Sequence, residues 1–198
     1  MINDELTIPK KQKLLVITGI SGADKSSVAK KVSESRGDFI RCPTSTNREK
    51  RPGEIDELDY FFYSLAHFEL LRKNPKFFFE HEEVYPGRHY AVPYCPLQNA
   101  WRLGKTPLIS LNPKGANKFK TAFPDQVKVV WLSLPDPIVE NAEKRLIQRG
   151  NMSPKDIRRR LFEIHSETEI SKNFKHHVVN HHDALGQTIE YVSRIISQ

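Results

Sequence analysis

Apolar runs and amphipathic stripes alternate along most of the 198-residue chain. Leu14-Leu15-Val16-Ile17 is a short continuous apolar run, which predicts a strand buried on both faces. Thr18 to Gly22 then reads as a turn, and Val28, Ala29 and Val32 mark one face of a helix that starts at Lys25. The rhythm returns later. Pro107 to Leu111 and Val127 to Leu132 predict two more buried strands, and Ile138, Ala142 and Leu146 a helical stripe. His177-Val178-Val179 predicts a short fourth strand. Leu185, Ile189, Val192 and Ile196 then mark a closing amphipathic helix with Asp183 placed as its cap. Strands alternating with helices predict an α/β fold with a parallel sheet core.

Two stretches depart from this rhythm. Residues 44–106 are rich in aromatics and turn signals, with Phe61 to Tyr63 and Phe77 to Phe79 as predicted strands of an inserted small sheet. In residues 144–170, Lys144, Arg145, Arg149, Lys155, Arg158, Arg159 and Arg160 crowd around Gly150, and Ser153-Pro154 predicts a capped helix start. Residues 1–12 show no period and read as a flexible lead-in. The core is then expected in 13–43, 107–143 and 171–198, one domain in all.

Composition narrows the function. Thirty-one Lys and Arg against 24 Asp and Glu give a formal net charge of +7, which favours an anionic partner. A 28% charged and 10% aromatic chain is globular rather than disordered. No apolar run has the length of a membrane span, and Met1 to Lys13 has no secretory pattern. Two cysteines make neither a disulfide framework nor a zinc site. A soluble, cytoplasmic protein with no membrane partner is expected.

Gly19-Ile20-Ser21-Gly22-Ala23-Asp24-Lys25-Ser26, followed by Ser27, lies between the first strand and the first helix. It approaches the phosphate-loop pattern G-x-x-x-x-G-K-[ST]. In such a turn backbone N–H groups converge on phosphate oxygens, and the helix N-terminus adds its partial positive charge. Lys25 would reach the β- and γ-phosphates of ATP, and Ser26 would ligate Mg²⁺. Asp24 stands where the pattern requires a second glycine. A carboxylate about 5 Å from a phosphate charge costs roughly 3 kcal/mol at an effective dielectric near 20.

Thr44-Ser45-Thr46-Asn47-Arg48-Glu49-Lys50-Arg51-Pro52-Gly53-Glu54, then Asp59-Tyr60-Phe61-Phe62, resembles the monophosphate-binding motif of guanylate kinases. The likeness continues through Phe78-Phe79-Glu80, Tyr90, Gly115, Arg145 to Gly150 and Val179-Asn180, so it spans nearly the whole chain from Lys13. The resemblance implies a P-loop nucleoside monophosphate kinase fold, with a monophosphate-binding insertion at 44–106 and a helical lid at 144–170. It implies that Arg48, Arg51, Tyr60 and Tyr90 hold the phosphate of GMP. Glu80 would read the guanine N1–H and N2 amine, and Thr44 would reach O6. With Lys25, Arg145, Arg149 and Arg160 would steady the transferring phosphoryl group. Guanidinium forks suit phosphate because they bind it bidentately.

The implied reaction is ATP plus GMP to ADP plus GDP, with Mg²⁺. Besides Asp24, the departures are Ser110 and Asn112, where the family carries aspartates, Ala91-Val92 after Tyr90, and Glu57 for a glycine. They open an alternative: a guanylate-kinase-like module with impaired catalysis that binds GMP or a phosphorylated partner. Arginines grouped at kinase-motif positions argue for a nucleotide rather than a nucleic acid. His176, His177, His181 and His182 invite a metal reading, against which a polar strand end is preferred.

Overall fold

The computed structural model describes residues 6–150, 152–181 and 184–197. Asp183 and His182 lie outside them. The chain runs β1 (Leu14–Gly19), α1 (Lys25–Ser35), β2 (Phe39–Arg41), β3 (Thr44–Thr46), β4 (Tyr60–Phe62), α2 (Leu65–Arg72), β5 (Phe78–Tyr85) and β6 (Arg88–Pro93). It continues α3 (Tyr94–Arg102), β7 (Thr106–Ser110), α4 (Pro113–Ala122), β8 (Val127–Ser133), α5 (Ile138–Gln148), α6 (Pro154–Ser171), β9 (His176–Val179) and α7 (Leu185–Ser197).

Five strands form a parallel sheet in the order β2-β7-β1-β8-β9. β1 lies at its centre and is buried at every position, as an all-apolar run between two neighbours must be. α1 returns along the sheet with Val28, Ala29 and Val32 buried, the stripe that the sequence predicts. The phosphate-loop sequence therefore sits at the carboxyl end of the central strand, where ligands of open α/β sheets bind.

The second sheet is four-stranded, in the order β4-β3-β6-β5, and is built from the predicted insertion. Its strands fall one residue from the predicted positions: Tyr60–Phe62 for Phe61 to Tyr63, and a start at Phe78 rather than Phe77. β5 and β6 form an antiparallel hairpin that sets Glu80 opposite Val92 and Glu82 opposite Tyr90. α3, read with the insertion, belongs to the main core, where Leu97, Ala100 and Trp101 are buried.

α4 owes its start to Asn112, whose Oδ1 accepts the Gly115 N–H at 2.7 Å, with Pro113 in the first turn. Its Ala116 and Phe119 are buried one turn apart, and Phe119 packs against Phe79 of β5 with ring centroids 5.1 Å apart. That contact ties the two sheets together, and Phe119→Ala would cost about 3–5 kcal/mol. α6 is capped by Ser153, whose side chain accepts from the Asp156 N–H, as the sequence predicts.

The lead-in is not loose from residue 6 onward. Leu6 and Ile8 are buried in the main core. The Tyr94 hydroxyl donates to Thr7 O at 2.9 Å, and the Gln126 amide donates to Ile8 O at 3.0 Å. Two apolar residues are too few to register as a period, yet they fill a site that Tyr94 and Gln126 prepare. β2 was also missed: three residues at a sheet edge leave no pattern to read.

Candidate active site

A cavity of about 690 Å³ opens between the carboxyl ends of β1 and β7, the second sheet and α6. One end of it is the loop after β1. Gly19 is required there by close approach, since a Cβ on it would stand 2.1 Å from the carbonyl oxygen of Leu132. Gly22 holds φ at 87°, in the left-handed region that side chains disfavour. Ile20 and Ala23 point away from the cavity and are buried in the core, so they anchor the loop and leave its backbone facing inward. Ser21, Gly22, Lys25, Ser26 and Ser27 line the mouth, together with the first turn of α1.

Asp24 adopts φ 56° and ψ 36° directly before α1, and its side chain does not cap the helix. The carboxylate turns to α5 instead, accepting from Arg145 Nη1 at 3.0 Å and from Arg149 Nη2 at 2.8 Å. Lys25 folds back over the loop, donating to the carbonyls of Gly19 and Ile20 at 2.9 Å each. Burial pushes its pKa down to about 8; Glu167 opposes the shift, and Arg149 and Arg160 add to it.

Glu167 of α6 was not among the expected site residues. Its Oε2 accepts the Ser21 N–H at 3.1 Å, so a carboxylate stands in the loop where a phosphate oxygen would be received. Burial raises its pKa, against the attraction of Lys25. Arg160, from the same helix, reaches Ser21 Oγ at 3.5 Å and keeps a buried Nε without a hydrogen-bond partner. Arg149 and Arg160 line the cavity. Arg145 sits behind the loop, donating to Asn180 O at 2.9 Å and to Gly22 O at 3.5 Å. Asn180 in turn donates to Ala23 O at 3.1 Å.

The opposite end is built by β3, β4, β5 and β6. Arg48 is buried in a bidentate pair with Glu54, at 2.7 and 2.6 Å, beneath the rings of Tyr60 and Phe62. Burial works against its charge, but the Glu54 fork outweighs it and raises the Arg48 pKa. Glu54 also accepts the Arg51 N–H at 2.9 Å, fixing the turn that carries both arginines. Burial and the neighbouring charges of Arg48 and Arg160 lower the Arg51 pKa. A cation held among cations signals a place for an anion. The Tyr60 and Tyr90 rings meet edge-on, 6.2 Å apart, and both line the cavity with Arg48 and Arg51.

Thr44 and Glu80 lie on the same wall and are buried. Burial raises the Glu80 pKa, and Lys118 of α4 counters it with an ion pair at 2.8 Å. The same ammonium reaches Glu82 at 3.3 Å. The lid and the insertion also touch directly: the Tyr85 hydroxyl donates to Glu163 at 2.8 Å, and Arg159 lies 3.6 Å over the Tyr85 ring.

Every expected site residue except Gly19, Ile20, Ala23 and Arg145 therefore lines one cavity. Among the described residues no cluster of three or more His, Cys, Asp or Glu could cage a metal. Ser26, Ser110 and Asn112 offer neutral oxygens to the cavity, though Asn112 Oδ1 is taken by Gly115. This donor set fits a Mg²⁺ that arrives on phosphate oxygens and keeps its waters. His177 Nε2 lies 2.9 Å from Phe174 O and 3.1 Å from Ser171 O, at the end of α6, away from the cavity.

The chain is matched over residues 11–198 by the family model described as Guanylate kinase. A guanylate kinase of Gloeobacter violaceus is 31% identical over 184 residues, covering 93% of this chain and 86% of that protein. One of Thermus thermophilus is 34% identical over 177 residues, covering 89% and 77%. One of Lactococcus lactis is 33% identical over 183 residues, covering 92% and 86%. The crystal structure of guanylate kinase from Anaplasma phagocytophilum superposes with a TM-score of 0.72 at 24% identity, covering 94% of this chain and 85% of that one, a likeness of fold.

Proposed function

The chain belongs to the guanylate kinase family, and from that premise we propose that it transfers the γ-phosphoryl group of ATP to GMP, giving ADP and GDP. The observation that carries the proposal is one cavity with two cationic ends. Lys25 and the start of α1 stand at one end, Arg48 and Arg51 at the other, and Arg149 and Arg160 line the same cavity.

Phosphoryl transfer asks mainly for alignment and for neutralisation of charge on the oxygens in flight. In this reading residues 13–43, 107–143 and 171–198 form the core that holds ATP, 44–106 hold the acceptor, and 144–170 close as the lid. Lys25 and the loop N–H groups bind the β- and γ-phosphates. Arg48 and Arg51, with the Tyr60 and Tyr90 hydroxyls, fix the phosphate of GMP, and the carboxylate of Glu80 accepts from guanine N1–H and N2. Thr44 offers a hydroxyl to the same base. Arg149 and Arg160 stabilise the charge that spreads in the transition state. Arg145 acts at one remove, by holding Asp24 and the loop. Ser26 and the nucleotide phosphates would hold Mg²⁺, which supplies further neutralisation of the phosphate oxygens.

Asp24 turns its carboxylate to Arg145 and Arg149, whose charges offset its own. The reading as a module without catalysis gains nothing from this geometry. No helix among the described residues is long and apolar enough to cross a membrane. A coupled assay of ADP release with ATP, Mg²⁺ and each monophosphate tests the proposal. Turnover is expected with GMP, and rates no higher than background with GMP would overturn it.

A further inference from the structure

Glu80 and Glu82 stand on one strand two residues apart, both facing the acceptor end of the cavity. Glu82 so placed works against the charge of the buried Glu80. Between them lies Lys118 of α4, 2.8 Å from Glu80 and 3.3 Å from Glu82. Lys118 is not itself part of the cavity wall. It touches the site only through these carboxylates.

We infer that Lys118 is a positioning residue that fixes the charge state and orientation of Glu80 and thereby selects guanine over adenine. The inference rests on the reading of Glu80 as the base contact. A carboxylate only accepts hydrogen bonds, and the guanine edge presents two adjacent donors, N1–H and the N2 amine. A protonated carboxyl pairs one donor with one acceptor, which is the complement of the adenine edge, with its N1 acceptor and 6-amino donor. The charge of Glu80 is therefore a choice of base.

The groups that set that charge are few. Burial opposite Val92 favours the neutral form, and so does Glu82. Tyr90 faces Glu82 from β6. Lys118 is the cation that opposes them among the described residues packed on this wall. It holds Glu80 by one oxygen, Oε1, and so fixes the plane in which the other meets the base. The lysine gains as well: despite partial burial, the two carboxylates raise its pKa.

The test compares wild type, Lys118→Met and Lys118→Arg in steady-state assays with GMP, IMP and AMP between pH 6 and 8. Lys118→Met is expected to raise KM for GMP about 10- to 100-fold, as loss of a charge-assisted contact does, with kcat changed less than about threefold. Its AMP turnover is expected to rise above that of wild type and to grow toward pH 6. Lys118→Arg should restore GMP binding. In a Glu80→Gln background, Lys118→Met should have no further effect on KM for GMP, and thermal melting of each variant identifies any that fails to fold.

A Lys118→Met variant that melts like wild type and keeps its KM for GMP and its base preference would overturn the inference. If Lys118→Met unfolds, the Lys118→Arg variant decides: it supports the inference by retaining GMP preference at all pH values, and overturns it by losing that preference. Wild-type protein that fails to bind GMP in calorimetry would overturn the Glu80 reading itself, a distinct result.

Discussion

The guanidinium of Arg149 donates to Oδ1 of Asp24 at 2.8 Å. The one loop residue that departs from the phosphate-loop pattern is thus tied to Arg149, the arginine proposed above to steady the transferring phosphoryl group. On that proposal Asp24 would compete with the phosphoryl group for Arg149. Asp24→Gly is expected to raise kcat/KM for ATP about tenfold, because it frees Arg149 and relieves a left-handed backbone that glycine adopts without strain. Asp24→Asn keeps the strain and removes the charge, so it should recover only part of the gain. Stability should move by less than about 1 kcal/mol, since a partly exposed ion pair is lost as strain is released. Lower activity in Asp24→Gly would show instead that the contact is a clamp the reaction requires.

Lys25 has its pKa lowered to about 8 by burial. Above that pH the ligand-free protein holds it increasingly neutral, whereas bound phosphates favour the ammonium. ATP binding should therefore take up close to one proton near pH 9 and almost none at pH 6.5. Calorimetry in buffers of different ionisation enthalpy reads that number directly, and Lys25→Met should abolish it. For the fold the sign is the reverse of a gain in pairing. The unfolded chain binds the extra proton between pH 8 and 10.5, so this group makes the ligand-free protein more stable as pH rises through that window.

Glu167→Gln removes the negative charge next to the Ser21 N–H and keeps an oxygen able to accept from it. Affinity for an ATP analogue at pH 7 should increase about tenfold, the scale of one screened charge contact. Glu167 also supports the charge on Lys25, so in this variant Lys25 should titrate at lower pH. The gain should then shrink by pH 8.5. An equal gain at both pH values would break the link between the two side chains.

Glu54→Gln breaks the bidentate grip on Arg48, a cation otherwise sealed under Tyr60 and Phe62. Removing one partner of a buried pair is expected to cost about 2–4 kcal/mol, measured by urea denaturation at pH 7. Burial opposes ionisation of Glu54, but Arg48 outweighs it and holds the carboxyl below its ordinary value. The pair's contribution is thus complete above pH 4.5 and is lost as pH falls through the lower folded-state value, so the variant and wild type should converge in acid. KM for GMP should rise more than KM for ATP, because Arg48 lies at the acceptor end.

Much of the core was legible because its strands are continuous apolar runs and its helices carry clear stripes, as β1 and α1 do. The candidate site was legible where chemistry is local, in the loop around Lys25 and the Arg48 to Glu54 turn. It was illegible where partners come from distant segments. Glu167 lies 146 positions from Ser21, and Lys118 lies 38 from Glu80. Neither differs in its own neighbourhood from any other charge on a helix. Asp24 could be recognised as a departure, but its direction depends on α5, which the sequence alone does not bring near.

The contact between Tyr85 and Glu163 ties the β5–β6 hairpin to α6. Any displacement of the helix that carries Arg160 and Glu167 is transmitted to the strands that carry Glu80 and Tyr90. A tie of this kind would link the donor and acceptor sites proposed above. Under such a link, occupancy of one would alter the affinity of the other by the same factor in both directions.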